Sequence, residues 1–428
     1  MILAIVEIFL TGFINLKLTY DKSNLNCSEF DLKLYTYRIN EKIMEKIFTN
    51  KYIEILRELI GKRSITPVDN GALPLVAECL KEFNSTFKSF GEDPVLNLYS
   101  VLERDSNGKN LCFLGHTDVV PPGELNKWQY DPFSAAVDNG ILFGRGAVDM
   151  KGAIVAFIAA VDSFLLSGKS FGSISLLLTA DEEGIAKYGT EPMMAWLSDQ
   201  SVKIDHCIVG EPVSISTIGD NVKIGARGSA NFILVVYGTQ GHVAYSHMVD
   251  NPIKRVNKIL TALSHYNFSH INTIFDKTNI EITKINGDSG AENIVPNSVE
   301  VRFNFRYGND YSYEQLKNIV ENIVKEHGEK YEISSRTSGD AALWLDSNSN
   351  FIHLVKDSIK NVTGVEPSAT TYGGTSDGRF IRKYCEAIEV GLLGDTAHQI
   401  NESVPLDHLE ALASIYLEIL NNYFRDKD

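Results

Sequence analysis

Thiols are scarce in this chain: its 428 residues include only five cysteines. Cys27, Cys79, Cys112, Cys207 and Cys385 are odd in number, widely scattered and form no CxxC pair. Neither a thiolate zinc site nor a disulfide framework is indicated. Cys112 and Cys207 lie in apolar runs and read as small buried fillers, a usage that fits a reducing cytoplasm. Basic charge is also in deficit, with a net charge of −15 and a pI near 5.2. A sequence-independent nucleic-acid binder needs Lys and Arg to displace phosphate counterions, so that class is excluded. No long uninterrupted apolar run is present. Residues 1–15, MILAIVEIFLTGFIN, are broken by Glu7 and are too short for a membrane span. They also lack the basic n-region and small-residue cleavage site of a secretory signal. Residues 1–43 are therefore expected to be an extension or a misassigned start, with the recognisable domain beginning near Met44. There is no internal repeat and no low-complexity linker.

What is present is ordinary globular material, 44% hydrophobic and 22% charged. The length exceeds what one hydrophobic core usually supports, which predicts two domains. Residues 51–61 carry helical apolar spacing that ends at Gly61, and 74–89 reads as a second amphipathic helix. Leu111–Leu114, Ser173–Thr179 and Cys207–Val209 read as strands and 152–166 as a buried helix, an alternation that predicts an α/β layer with a mainly parallel sheet. Beyond Arg227 the pattern changes. NFILVVYG, NIEITKING and VEVRFNFRY alternate apolar and polar residues as half-exposed antiparallel strands do, with helices near 252–266 and 312–327. This predicts an α+β insertion, after which the first domain resumes from about 341.

Several acidic or histidine clusters sit just after predicted strands. They are Gly115-His116-Thr117-Asp118, Val148-Asp149-Met150, Asp181-Glu182-Glu183 and Gly210-Glu211-Pro212, with His398 nearer the C-terminus. Strand ends at the carboxyl edge of an α/β sheet are where ligand sites collect. Each cluster alone has a bland reading: a hydrogen-bonded histidine, a solvated turn, a strand terminator, a helix cap at Asp149. Together they supply imidazole and carboxylate donors without thiolate, a set suited to hydrolytic Zn²⁺ and also to Mn²⁺ or Co²⁺. His116, Asp149, Glu183, Glu211 and His398 suffice for a two-metal site with Asp149 as the natural bridge. Such a pair polarises an amide carbonyl and activates water. Glu182, pointing away from its neighbour Glu183 on an extended segment, is placed to act as general base. Asp118 is close enough to accept the second ring N–H of His116.

The motifs GHTDVVPPG (115–123), GRGAVDMKG (144–152), TADEEG (179–184), GEP (210–212) and GGTSDGRF (373–380) resemble the M20 metallopeptidase family over residues 50–425. The resemblance implies a discontinuous zinc-hydrolase catalytic domain with a mainly parallel mixed sheet, residues 44–227 and 341–428. It also implies an inserted α+β dimerisation and lid domain with an antiparallel sheet, residues 228–340. His116, Asp149 and Glu211 match the ligands of one Zn²⁺, and Asp149, Glu183 and His398 those of a second. Glu182 matches the general base and Asp118 the aspartate beside the first histidine. GTQGHVAY (238–245) resembles the segment whose histidine, here His242, reaches the partner subunit's site in a homodimer and stabilises the oxyanion. Arg227, Tyr245, Asn293, Arg306, Gly374, Thr375 and Arg379 match positions near the substrate, where arginine suits carboxylates. Two departures, Tyr372-Gly373-Gly374 and His247, fall near the substrate and touch specificity more than chemistry. Within the family, GGTSDGRF points to hydrolysis of N-succinyl-LL-2,6-diaminopimelate in lysine biosynthesis. The alternatives are acetylornithine deacetylase, aminoacylase or carboxypeptidase activity, or a non-catalytic metal-binding homologue.

Overall fold

The computed structural model of the protein describes residues 3–7, 17–21, 46–328, 330–346 and 348–425. Met1–Lys46 forms a unit of its own, in which β1 (Leu3–Glu7) pairs antiparallel with β2 (Lys17–Asp21). The rest of the stretch expected to be an extension lies outside the described residues. Among the described residues no helix is long and apolar enough to cross a membrane.

The larger unit is Ile47–Asp428. Helices Asn50–Gly61 and Ala72–Cys79 lead into β3 (Asn84–Phe90), β4 (Val95–Glu103) and β5 (Asn110–His116). A short pair, β6 (Ala136–Asp138) and β7 (Ile141–Phe143), precedes the helix Lys151–Leu166. Then come β8 (Ser173–Thr179), the helix Thr190–Asp199, β9 (His206–Val209) and β10 (Asn221–Lys223). The chain next passes through β11 (Gly225–Ala226) into β12 (Gly228–Tyr237), β13 (Gly241–His242) and the helix Pro252–Ser264. β14 (Asn279–Asn286), β15 (Ile294–Val295), β16 (Ser298–Tyr307), the helix Tyr313–His327 and β17 (Tyr331–Gly339) follow. β18 (Ala342–Leu343) brings the chain back to the helix Asn350–Thr363, β19 (Ser368–Thr370), β20 (Glu386–Glu389), β21 (Ser403–Pro405) and the helix Leu406–Tyr423.

The main sheet has eight strands in the order β19-β10-β20-β9-β5-β8-β4-β3. Its centre, β20-β9-β5-β8, is parallel, while β4 and β3 join antiparallel. Every residue of β5 and β8 is buried, which explains why each carries consecutive apolar residues, LCFL in β5 and LLL in β8, rather than a strict alternation. The helix Lys151–Leu166 is buried over most of its length and packs against Leu406–Tyr423. Phe113 of β5 stacks on Phe157 at 4.5 Å between ring centroids, with Tyr416 edge-on to both. Such pairs add about 0.5–1.5 kcal/mol beyond the area they bury.

The helix expected over 74–89 differs. It stops at Cys79, and residues 84–90 form an edge strand paired with β4, Asn84 opposite Val101. NSTFKSF alternates as a half-exposed strand does, and pairing with β4 outweighs any local helical tendency.

The second sheet, β14-β16-β12-β17, is wholly antiparallel. Alternate residues of β16 are buried, and the helices Pro252–Ser264 and Tyr313–His327 cover the apolar face with Val256, Ile259, Leu316 and Val320. Ser312 and Gln315 form a capping box at the start of the latter helix, satisfying two N–H groups left free there. This region has a hydrophobic core separate from that of the main sheet. Its entry and exit are hydrogen-bonded to each other, β11 pairing antiparallel with β18.

Candidate metal centre and active-site cavity

The carboxyl ends of the parallel strands deliver the chemistry. His116 is the last residue of β5, Glu182 and Glu183 follow β8, and Glu211 follows β9. Asp149 precedes the helix Lys151–Leu166, and His398 lies beyond β20 in a turn where its φ is 62°. These residues, scattered through the sequence, meet in one cluster. Asp149 Oδ1 lies 3.2 Å from His116 Nε2, and its Oδ2 lies 3.2 Å from His398 Nε2. One carboxylate thus faces two imidazoles through different oxygens. Glu183 Oε1 is 2.8 Å from His398 Nε2 and Glu211 Oε1 is 3.6 Å from His116 Nε2.

The donor atoms fit a divalent cation. His116 Nε2 and Asp149 Oδ1 are buried without a hydrogen-bond partner, a state that costs about 1–3 kcal/mol per group unless something fills the gap. Two lone pairs that close repel unless a proton or a cation lies between them. Ligand atoms of His116, Asp149 and Glu183, and of His116, Glu182 and Glu211, all lie within 4.8 Å of one another. His116 Nδ1 sits 2.9 Å from the backbone oxygen of Asp118. Donation there fixes the tautomer with Nε2 free to ligate. This corrects the expectation for Asp118, whose carboxylate stands 3.7 Å from that nitrogen. The carboxylate instead accepts the backbone N–H groups of Glu182 and Glu183, positioning the segment that carries them.

The electrostatics make the same demand for positive charge. Burial alone would depress the His116 pKa, but the facing Asp149, with Glu211 and Glu182, drives it well above its usual value. Hydrogen bonding to Asp149 and Glu183 lifts His398 to about 10. Burial pushes Glu182 and Glu211 well up, reinforced by neighbouring carboxylates, and Asp118 up to about 6. Asp149 is held low against burial by the two imidazoles.

A cavity of about 460 Å³ opens over the cluster. Asp149, Glu182, Glu183, Glu211 and His398 line it, as do Gly374 and Thr375. Sequence reasoning missed Lys223 and Glu389, which line it as well. Lys223 Nζ donates to the Gly374 carbonyl at 2.7 Å and pairs with Glu389 at 3.1 Å, while Ser376 hydrogen-bonds Glu389. Both charges are buried, so the pair holds the Gly373–Ser376 loop from beneath. A carboxylate, Glu389, within the otherwise apolar run AIEV (387–390) was the one available signal.

The remaining residues lie farther out. Arg306 donates to the Thr375 hydroxyl at 3.0 Å, and Arg227 is near enough to depress its pKa further after burial. Arg227 itself donates to Asn279 Oδ1. Arg379 reaches the Ser376 carbonyl and lies over the Phe380 ring. His242, Tyr245 and Asn293 are on or beside the β13–β15 pair, exposed to solvent. Within one chain they do not line the cavity.

Residues 112–422 match the family model described as peptidase family M20/M25/M40. The chain belongs to that family. Among its M20 relatives, a succinyl-diaminopimelate desuccinylase of Ehrlichia chaffeensis is 45% identical over 374 residues, 86% of this chain and 97% of that one. A protein of the same name from Wolbachia pipientis wMel is 42% identical over 87% of this chain and 93% of its own. The solved M20 metallo-carboxypeptidase Sso-CP2 from Sulfolobus solfataricus superposes with a TM-score of 0.73, covering 88% of this chain and 100% of that chain at 19% identity. That likeness establishes the M20 fold, with its mixed main sheet and separate antiparallel sheet. Family membership implies a divalent metal, and the cluster around Asp149 is the site whose donors suit it.

Proposed function

We propose that the protein hydrolyses N-succinyl-LL-2,6-diaminopimelate to succinate and LL-2,6-diaminopimelate, on the route to lysine, with two Zn²⁺ ions. The observation that carries this reading is that succinyl-diaminopimelate desuccinylases 40–45% identical to the chain are matched over nearly their whole length. His116, Asp149 and Glu211 would hold one ion, and Asp149, Glu183 and His398 the other. When bound, the pair would polarise the amide carbonyl and lower the pKa of the attacking water.

The chain's own groups do the rest. Glu182 takes the proton from that water and gives it to the leaving amine. Burial, with the neighbouring carboxylates, raises its pKa above the usual carboxylate range and so makes it a stronger proton acceptor. Gly374 and Thr375 edge the cavity, and Arg306 and Arg227 stand beyond Thr375. Among the described residues neither arginine has a carboxylate partner, which leaves both charges for the carboxylates of a succinylated diamino acid. Residues 228–340 form the lid and dimerisation domain, residues 44–227 and 341–428 the catalytic domain. In a cytoplasmic homodimer His242 serves the partner subunit's site as an oxyanion donor, and Tyr245, Asn293 and Arg379 contribute to substrate binding. Co²⁺ or Mn²⁺ substitutes for Zn²⁺.

The test is a hydrolysis panel with Zn²⁺-loaded protein, comparing N-succinyl-LL-diaminopimelate, N-acetylornithine and a dipeptide. Strong preference for the succinyl substrate is expected. Preference for either of the others would keep the metal chemistry and overturn the substrate.

A further inference from the structure

Four residues beyond His398 lies Glu402, fully buried and outside the metal cluster. One of its oxygens accepts three backbone N–H groups, from Gly146 at 3.0 Å, Val148 at 2.9 Å and Asp149 at 3.2 Å. The other accepts Arg145 Nη1 at 2.7 Å. Arg145 is itself 2% exposed. Its Nη2 donates to the backbone carbonyl of His398 at 3.3 Å and to that of Pro121 at 3.5 Å, and its guanidinium lies over the Trp128 ring. The small sheet β21-β7-β6 delivers the pair, with Ser403 opposite Phe143 and the Gly144 N–H donating to the Glu402 carbonyl.

We propose that Glu402 and Arg145 are positioning residues that set the spacing between Asp149 and His398, and thereby the geometry of the second metal position. The clamp grips both residues by their backbone, Asp149 through its N–H and His398 through its carbonyl. Neither side chain of the clamp lines the cavity, so their action is on where the ligands stand. A buried carboxylate is tolerated only when its lone pairs are filled, and here backbone and guanidinium donors fill them. A carboxylate with three N–H donors on one oxygen also fixes the loop more firmly than an amide side chain would. Lysine at 145 would keep the charge yet lack the fork that reaches Glu402 and the His398 carbonyl together.

This proposal rests on the metal reading above, and its test separates the two. Metal content and affinity of the purified full-length chain would be measured by competition with a chromophoric chelator, using Zn²⁺. The absorption spectrum of the Co²⁺ form would be recorded in parallel. Wild type should bind two ions; fewer than two would overturn the metal reading and this inference with it. Arg145→Lys should bind one ion at wild-type affinity and the other about 10–100-fold more weakly. Its Co²⁺ spectrum should change and its kcat should fall while KM holds. Glu402→Gln should do the same where it folds, and the milder Arg145→Lys decides the matter where it does not. Two ions bound by Arg145→Lys with both affinities and the Co²⁺ spectrum at wild-type values would overturn the clamp while leaving the metal reading intact.

Discussion

The two largest sheets of the larger unit bury opposite things. The antiparallel sheet has an apolar core, built from residues such as Phe232, Leu234, Phe303 and Val320. Among the described residues, its span from Ala230 to Gly339 contains no buried charged side chain. The region built around the main sheet buries His116, Asp118, Arg145, Lys151, Asp181, Lys223, Asp377, Glu389 and Glu402. Burying charge opposes folding unless partners are supplied. A region that does so repeatedly is one in which function has set the composition. The core of the antiparallel sheet, free of that demand, is apolar throughout.

Breaking the comparison at the charged end should give the largest effect. Glu182→Gln is expected to lower kcat by about 10²–10⁴-fold with two metal ions still bound, as checked by steady-state kinetics beside elemental analysis. Full turnover in this variant would remove Glu182 as the base. His242→Ala tests whether the antiparallel region takes part in the chemistry despite its apolar core. A fall of about 10²–10³-fold in kcat with little change in KM is expected; a rise in KM alone would make the contact a ground-state one. Leu234→Ala, a cavity in the apolar core, should cost about 2–5 kcal/mol of stability in denaturant titration and leave metal content untouched. Loss of metal in that variant would show that the two regions do not keep their accounts separately.

The smallest effect concerns pH. In metal-free protein the carboxylates of Asp149 and Glu183 hold His398 at about 10, against about 6.5 in an unfolded chain. The folded state therefore holds that proton more tightly. The resulting stabilisation is fully present below about pH 6.5 and is lost as pH rises through about 10. The melting temperature of chelator-treated protein should fall across that window. The fall should be smaller with excess divalent metal, because the cation takes the proton's place. Identical falls with and without metal would detach His398 from the site.

The same contrast explains what the sequence made legible. The half-exposed strands of the second sheet declare themselves by alternation, and β5 and β8 by short apolar runs, LCFL and LLL. His116, Glu182, Glu183 and Glu211 were legible because each ends or follows such a strand, where polar residues otherwise have little reason to gather. Residues 84–90 misled because apolar spacing on a short edge strand is compatible with a helix. The Lys223–Glu389 pair and the Glu402 clamp escaped notice for another reason. Glu402 meets Val148 across 254 positions, and no local pattern encodes a contact of that span. Asp118 shows a subtler limit: its adjacency to His116 was visible, but the structure decides whether its carbonyl or its carboxylate faces the ring.

The ladder between β11 and β18 sets Gly225 opposite Leu343 and Ala226 opposite Ala342, so the chain departs and returns about 4.8 Å apart, one strand spacing. To the main sheet, everything between those points is a loop of almost no span. Closing such a loop grows only slowly more costly with length, by about 0.6 kcal/mol per doubling. A whole antiparallel sheet with its helices therefore joins the host at little more entropic expense than a long surface turn. In genetic terms, changes of length between those two points need not disturb the pairing of the strands on either side.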